Sequence, residues 1–194
     1  MESFWFYIKI GLDHVLDLAA YDHILFLGAL AVPFTFKNWR KVVLLTTVFT
    51  ITHCLSLILS VYEIVVLDTS LVEFLIPVTI LMTVLFNFIY VRAVSEHKNL
   101  LLQLLATVFF GLIHGFGFSN YFKMLVGGEE SKFSPLMGFA AGIEISQILI
   151  VCIILTLAFL LQSIFKLRQA LFIVVASALI ALITIPMLIE TFPW

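Results

Sequence analysis

The chain has 194 residues, 63% of them hydrophobic and only 11% charged, with a formal net charge of −2 and a mean hydropathy of +1.20. Soluble domains carry about 25% charged residues, so this much apolar surface implies lipid as the main solvent rather than a water-soluble core. The slight negative charge and the absence of a basic stripe argue against a nucleic-acid partner, and two cysteines, Cys54 and Cys152, both inside apolar runs, are too few for a disulfide scaffold.

Residues 3–19 mix bulky apolar side chains with Lys9, Asp13, His14 and Asp17, and Trp5, Phe6 and Tyr7 suit a headgroup region. The stretch is too polar to span alone and reads as an interfacial or half-inserted helix. No basic flank or small-residue cleavage pattern marks a signal peptide, so Met1 onward reads as mature chain. A first apolar run, about 20–36, stops at Lys37, Arg40 and Lys41, and a second, 42–62, leads into an acidic connection with Glu63, Asp68 and Glu73. The third, 74–91, closes on Arg92, with Glu96, His97 and Lys98 before the fourth, 100–118. A polar loop around Glu129 and Glu130 precedes the fifth, 135–162; Lys166 and Arg168 separate it from the sixth, 171–189, which ends at Glu190 beside Phe192 and Trp194. Each run is close to the ~20 residues a helix needs to cross the hydrocarbon core. The expected fold is all-α: a polytopic integral membrane protein, one transmembrane domain over residues 1–194, with about six transmembrane helices behind the N-terminal helix. The pattern carries no signature of an oligomeric state.

Lys37, Arg40 and Lys41, then Arg92 and Lys98, then Lys166 and Arg168 occupy the loops after the first, third and fifth runs. The positive-inside rule puts those loops in the cytoplasm and both termini on the outer, periplasmic or extracellular side of what is expected to be a bacterial inner membrane.

Ionisable residues inside the runs are costly in lipid and are functional-site candidates. At ~1.5 Å rise per residue, His53 lies about 18 Å from the basic face, His114 about 24 Å, and Asp22 and His23 about 21 to 22 Å. Glu144 lies about 14 Å below Pro135. The four places thus converge on one slab in the outer half. Small residues four apart, Gly111 with Gly115 and Gly138 with Gly142, predict that the fourth and fifth runs pack on each other and bring His114 and Glu144 inward.

Each residue also has a plain structural reading. A lone histidine can simply bridge two helices, Asp22 and His23 can form a local pair, and Glu144 can bond to Ser146 or Gln147. Cys54 reads as core filler, His97 as solvated surface, and the phenylalanines as packing or lipid-facing residues. Taken jointly, three histidines and two carboxylates at one depth point to a shared polar site. Imidazole with carboxylate suits a divalent transition metal such as nickel, cobalt or zinc, although no CxxC or HExxH pattern is present.

Four blocks carry a resemblance: His14 with Tyr21-Asp22-His23-Ile24-Leu25-Phe26-Leu27; Phe49-Thr50-Ile51-Thr52-His53; Phe110-Gly111-Leu112-Ile113-His114-Gly115-Phe116-Gly117-Phe118; and Phe139-Ala140-Ala141-Gly142-Ile143-Glu144-Ile145-Ser146-Gln147. On these the chain resembles the HupE/UreJ family of small bacterial membrane proteins, associated with hydrogenase and urease gene clusters and regarded as nickel or cobalt permeases. The resemblance implies metal handling by His14, Asp22, His23, His53, His114 and Glu144. Two positions depart from the family pattern: the seven residues between His14 and Asp22 are a longer spacing, and Ala140 stands where an asparagine is common.

The expected function is therefore a divalent-metal permease, or a metal-binding membrane protein, with an outward-facing His/Asp/Glu site. The alternative is a zinc-dependent membrane-embedded hydrolase or transferase, with Glu144 or Asp22 as general base and Thr52, Ser56 or Ser146 as nearby hydroxyls. A transport path also needs a second half, and Asn87 is the main polar residue on that side.

Overall fold

The computed structural model describes residues 2–92 and 100–193; the connection holding Glu96, His97 and Lys98, and the terminal Trp194, lie outside the described residues. In a bilayer each backbone N–H and C=O must be met within the chain, and apolar runs of this length meet them as helices. Among the described residues the α-helices are α1 (Glu2–Leu16), α2 (Asp22–Ala31), α3 (Trp39–Val61), α4 (Thr69–Arg92), α5 (Leu100–Val126), α6 (Phe133–Ile164) and α7 (Gln169–Glu190). Five segments, Phe36–Val61, Thr69–Val91, Gln103–Val126, Phe133–Ile164 and Gln169–Glu190, are long and apolar enough to cross a membrane. Their outer faces expose side chains such as Leu85, Ile153, Phe159, Leu179 and Leu182, as lipid contact requires. The chain is an all-α, polytopic integral membrane protein.

Local chemistry sets the helix ends. α3 stops where Glu63 adopts a left-handed φ of 56°, with Glu63 N–H donating to Ser60 O and Ile64 N–H to Leu59 O. That is a Schellman arrangement at a residue other than glycine. α4 starts at an Asp68 cap, whose Oδ1 accepts from the Ser70 hydroxyl and from Leu71 N–H at 3.1 Å.

The first apolar run behaves differently from the others. α2 has ten residues, about 15 Å of helix, which is half the ~30 Å hydrocarbon core. α1 supplies the other half. It runs beside α6 in the same direction: Gly138 seats against Phe4 and Tyr7, Gly142 against Ile8 and Leu12, and Ser146 Oγ donates to Leu12 O at 3.3 Å. α2 then continues toward the basic loops, where Gln169 Nε2 donates to Pro33 O at 3.1 Å. One crossing is thus made by two half-length helices in series, broken over residues 17–21. With the five long segments this matches about six crossings and a half-inserted N-terminal helix.

The glycine pairs find other partners than the spacing predicts. Gly111 and Gly115 of α5 press on α3, against Phe49 and Thr52 and against His53 and Ser56. Gly138 and Gly142 of α6 press on α1, where Gly11 faces Gly142 backbone to backbone. Small residues permit close approach but do not say to which helix, and two parallel pairs, α3 with α5 and α1 with α6, result. α2 sits between them and packs also on α4 and α7.

Candidate metal site

α1, α2, α3 and α5 each deliver one histidine to the same interior space. His14 occupies the last turn of α1 and His23 the first turn of α2, so the break between those helices brings both rings inward. Ring centroids lie 4.6 Å apart for His14 and His23, 5.7 Å for His14 and His53, 5.7 Å for His23 and His53, and 5.3 Å for His23 and His114. One ring nitrogen from each of His14, His23 and His53 lies within 4.8 Å of the other two. Two imidazole nitrogens on one ion, each at ~2.1 Å, sit about 3 to 4 Å apart, so small ring rotations close this set on a metal. His53, His114 and His23 are 0%, 1% and 2% exposed, and His14 is half-buried under Phe118, 3.9 Å away between centroids.

The hydrogen bonds define which nitrogens are free. His114 Nδ1–H donates to Phe110 O at 2.9 Å, and His23 Nδ1–H donates to Asp22 Oδ1 at 3.2 Å. A carbonyl and a carboxylate can only accept, so in both rings the lone pair is left on Nε2. Both Nε2 atoms are buried without a partner, as are His14 Nε2 and both nitrogens of His53. Buried polar atoms normally find partners, and an unmet one costs about 1–3 kcal/mol. Each of the four rings thus has one nitrogen lone pair with no partner in the protein, and those of His14, His23 and His53 lie close enough together to serve one ion.

Beside the cluster lies a cavity of about 490 Å³, lined by His14, His23, His114, Asp13, Asp17 and Asp22 among others. Its rim, with Asp13, Asp17, Ala20 and Tyr121, is exposed. Phe118 and Tyr121 of α5 place this opening on the side of the histidines away from the basic loops. Asp13 and Asp17 read in the sequence only as polar interruptions of an interfacial helix. Their four-residue spacing, with Ile10 and His14 one turn around them, was the available sign that they share a face.

The structure does not bring Glu144 to the histidines. Its carboxylate is held between α6 and α3, accepting 2.6 Å hydrogen bonds from Thr47 Oγ1 and Thr50 Oγ1. Ser146 and Gln147 are not its partners: Ser146 donates to backbone carbonyls, and Gln147, fully buried, leaves both side-chain polar atoms unmet. Spacing along a helix gives height and not azimuth, and Glu144 faces the α3–α6 seam, bonded to residues one to two turns along α3 from His53. Thr52 and Ser56 donate their hydroxyl hydrogens to carbonyls of their own helix. Cys54 is buried.

A family model described as HupE / UreJ protein matches residues 1–191. No curated protein and no solved structure matches the chain.

Proposed function

Since the chain belongs to the HupE/UreJ family, which is associated with nickel and cobalt transport, we propose that it is a nickel or cobalt permease that captures its cargo on the buried histidine cluster. The observation that carries this reading is the convergence of unmet imidazole nitrogens from four helices. Imidazole nitrogen suits late first-row divalent metals, and His14, His23 and His53 supply three such donors with His114 adjacent.

Asp22 and Phe110 O act behind the ligands, each fixing the tautomer and direction of one ring, as outer partners of metal-bound histidines do. Asp13, Asp17 and Asp22 give the entrance a negative potential that concentrates cations. The broken α1–α2 crossing supports the same reading, because discontinuous helices in transporters free half-helix ends for a site within the bilayer. Glu144, with Thr47 and Thr50, lies beside this route rather than on the metal. The cationic loops favour a cytoplasmic face at residues 35–41 and 165–168, with the vestibule and both termini on the outer side of a bacterial inner membrane. A hydrolase has less support: the Glu144 carboxylate is held by two threonines at the α3–α6 seam, and Asp22, though it lines the cavity, is committed through Oδ1 to orienting His23.

Purified protein should bind Co²⁺ with the visible absorption of a nitrogen-ligated ion, and protein in sealed vesicles should take up Ni²⁺ or Co²⁺. Asp22→Asn should weaken binding by about 10–100-fold, the usual cost of losing an outer partner, with helical content unchanged by circular dichroism. Binding without uptake would sink the permease reading.

A further inference from the structure

A path through the bilayer needs a continuation beyond the histidines, and the register of three helices defines what lies there. α2 runs toward the basic loops, whereas α3 and α5 run away from them. On each, the residue one turn from the histidine in the direction of those loops is a phenylalanine: Phe26 after His23, Phe49 before His53, and Phe110 before His114. The three rings are 0%, 0% and 3% exposed. Phe26 stacks on Phe49 at 4.7 Å and meets Phe110 edge-on at 5.9 Å, and both Phe26 and Phe49 sit 5.3 Å from the His114 ring. They form an apolar floor under the cluster.

Beyond that floor is a second, smaller cavity of about 50 Å³ between α2, α4 and α5. Phe110 is part of its wall, and Thr83, Asn87, Gln103 and Thr107 line it. Thr83 Oγ1 donates to Thr79 O at 2.9 Å, and Thr107 Oγ1 donates to Gln103 O at 2.8 Å. With each hydroxyl hydrogen spent on its own helix, the oxygen lone pairs remain as acceptors. Asn87 is fixed by donating to Ala29 O at 2.8 Å and Ser177 Oγ at 3.2 Å, which ties α4 to α2 and α7. The lining therefore offers neutral oxygens in a space large enough for one ion with a water.

We infer that this cavity is a second cation station, built of neutral oxygen donors, from which a divalent metal released by the histidines leaves toward the basic loops. The inference rests on the permease reading. Softness orders the two stations: imidazole holds a late transition metal more tightly than neutral oxygen does, so the first station captures and the second releases. The Phe26–Phe49–Phe110 floor separates them and keeps the two cavities from joining into a leak.

The test is Thr83→Val with Thr107→Val in one chain, reconstituted in sealed vesicles, against Thr83→Ser with Thr107→Ser. Valine keeps the volume and removes the oxygens, whereas serine keeps the oxygens and removes a methyl group. The valine protein should take up Ni²⁺ at least tenfold more slowly while equilibrium dialysis gives unchanged Ni²⁺ binding, and the serine protein should keep its rate. Unchanged uptake by the valine protein overturns the second station alone. So does a serine protein slowed as much as the valine one, because that pattern reports packing. An unaltered chain that binds Ni²⁺ and moves none overturns the permease reading and this inference with it.

Discussion

The His53→Ala protein should bind Ni²⁺ or Co²⁺ at least about 100-fold more weakly than the unaltered chain, beyond the 10–100-fold expected for an outer partner such as Asp22. It should do so while remaining folded. His53 is fully buried, and neither ring nitrogen has a partner in the protein. The nearest hydroxyls do not serve it, since Ser56 donates to the His53 carbonyl and Thr52 to Val48 and Phe49 carbonyls. A buried unmet polar group costs about 1–3 kcal/mol, so the metal-free protein loses a liability along with the ring, which offsets much of the cavity left behind. A histidine that merely ties two helices together predicts the opposite: lower stability without metal and little change in binding.

Thermal melting in detergent, with and without metal, separates the two. A ligand at 100 times its dissociation constant adds about 2.7 kcal/mol to a folded state that alone binds it. The unaltered chain should therefore melt at a clearly higher temperature with Ni²⁺ than without. The His53→Ala protein should melt at one temperature under both conditions, close to that of the metal-free parent. A metal-dependent rise that survives the substitution removes His53 from the site.

How far the sequence revealed this arrangement differs from residue to residue. The five long helices follow from uninterrupted apolar runs, because a run of ~20 apolar residues in lipid meets its backbone hydrogen bonds within itself only as a helix. The histidines were conspicuous for the same reason: in a chain this apolar, each buried imidazole needs an account. Spacing along a helix suggested one site for them, and the four rings do come together. It could not give azimuth. Glu144 turns toward Thr47 and Thr50, and which side of α6 faces α3 is decided by packing against α1 and not by any local pattern. The boundary expected near residue 19, between an N-terminal helix and the first apolar run, falls within the break at residues 17–21, but composition hid that the run from 20 to 36 forms a helix of only ten residues, since Leu18, Ala19 and Ala20 are all compatible with a helix. Only the polar chemistry around it, with Asp17 accepting from Ala19 N–H, marks the place where α1 ends. Pair choice was likewise illegible: the glycine spacing on α5 and α6 was seen, but glycine is equally complementary to any smooth helix face, and α3 and α1 won those faces.

That choice of partner makes Gly115 the position where a small change should do most harm. A Cβ there would fall on the Ser56 side-chain oxygen and the His53 carbonyl, inside any real contact distance. Neither can yield: the carbonyl belongs to the α3 backbone, and Ser56 Oγ is already pinned to that carbonyl at 2.8 Å. The only relief for Gly115→Val is to move α5 away from α3. That sacrifices close contact along the whole pair, including the seat of Gly111 on Phe49 and Thr52. In a bilayer such contact is most of what holds two helices together, as lipid tails give no hydrophobic drive for association. Overpacking typically costs about 1–3 kcal/mol, and the upper figure, expected here because the clash is with backbone, corresponds for a chain of this length to a fall of roughly 6–12 °C in melting temperature. It also carries His53 and His114, which sit on the two helices being parted, out of register, so metal binding should fail with stability. Gly128→Val is the control, because a Cβ there meets nothing within 4 Å. It should purify, melt and bind metal as the unaltered chain does. Equal melting temperatures for the two valine variants would mean that α3 and α5 are not locked together by this contact.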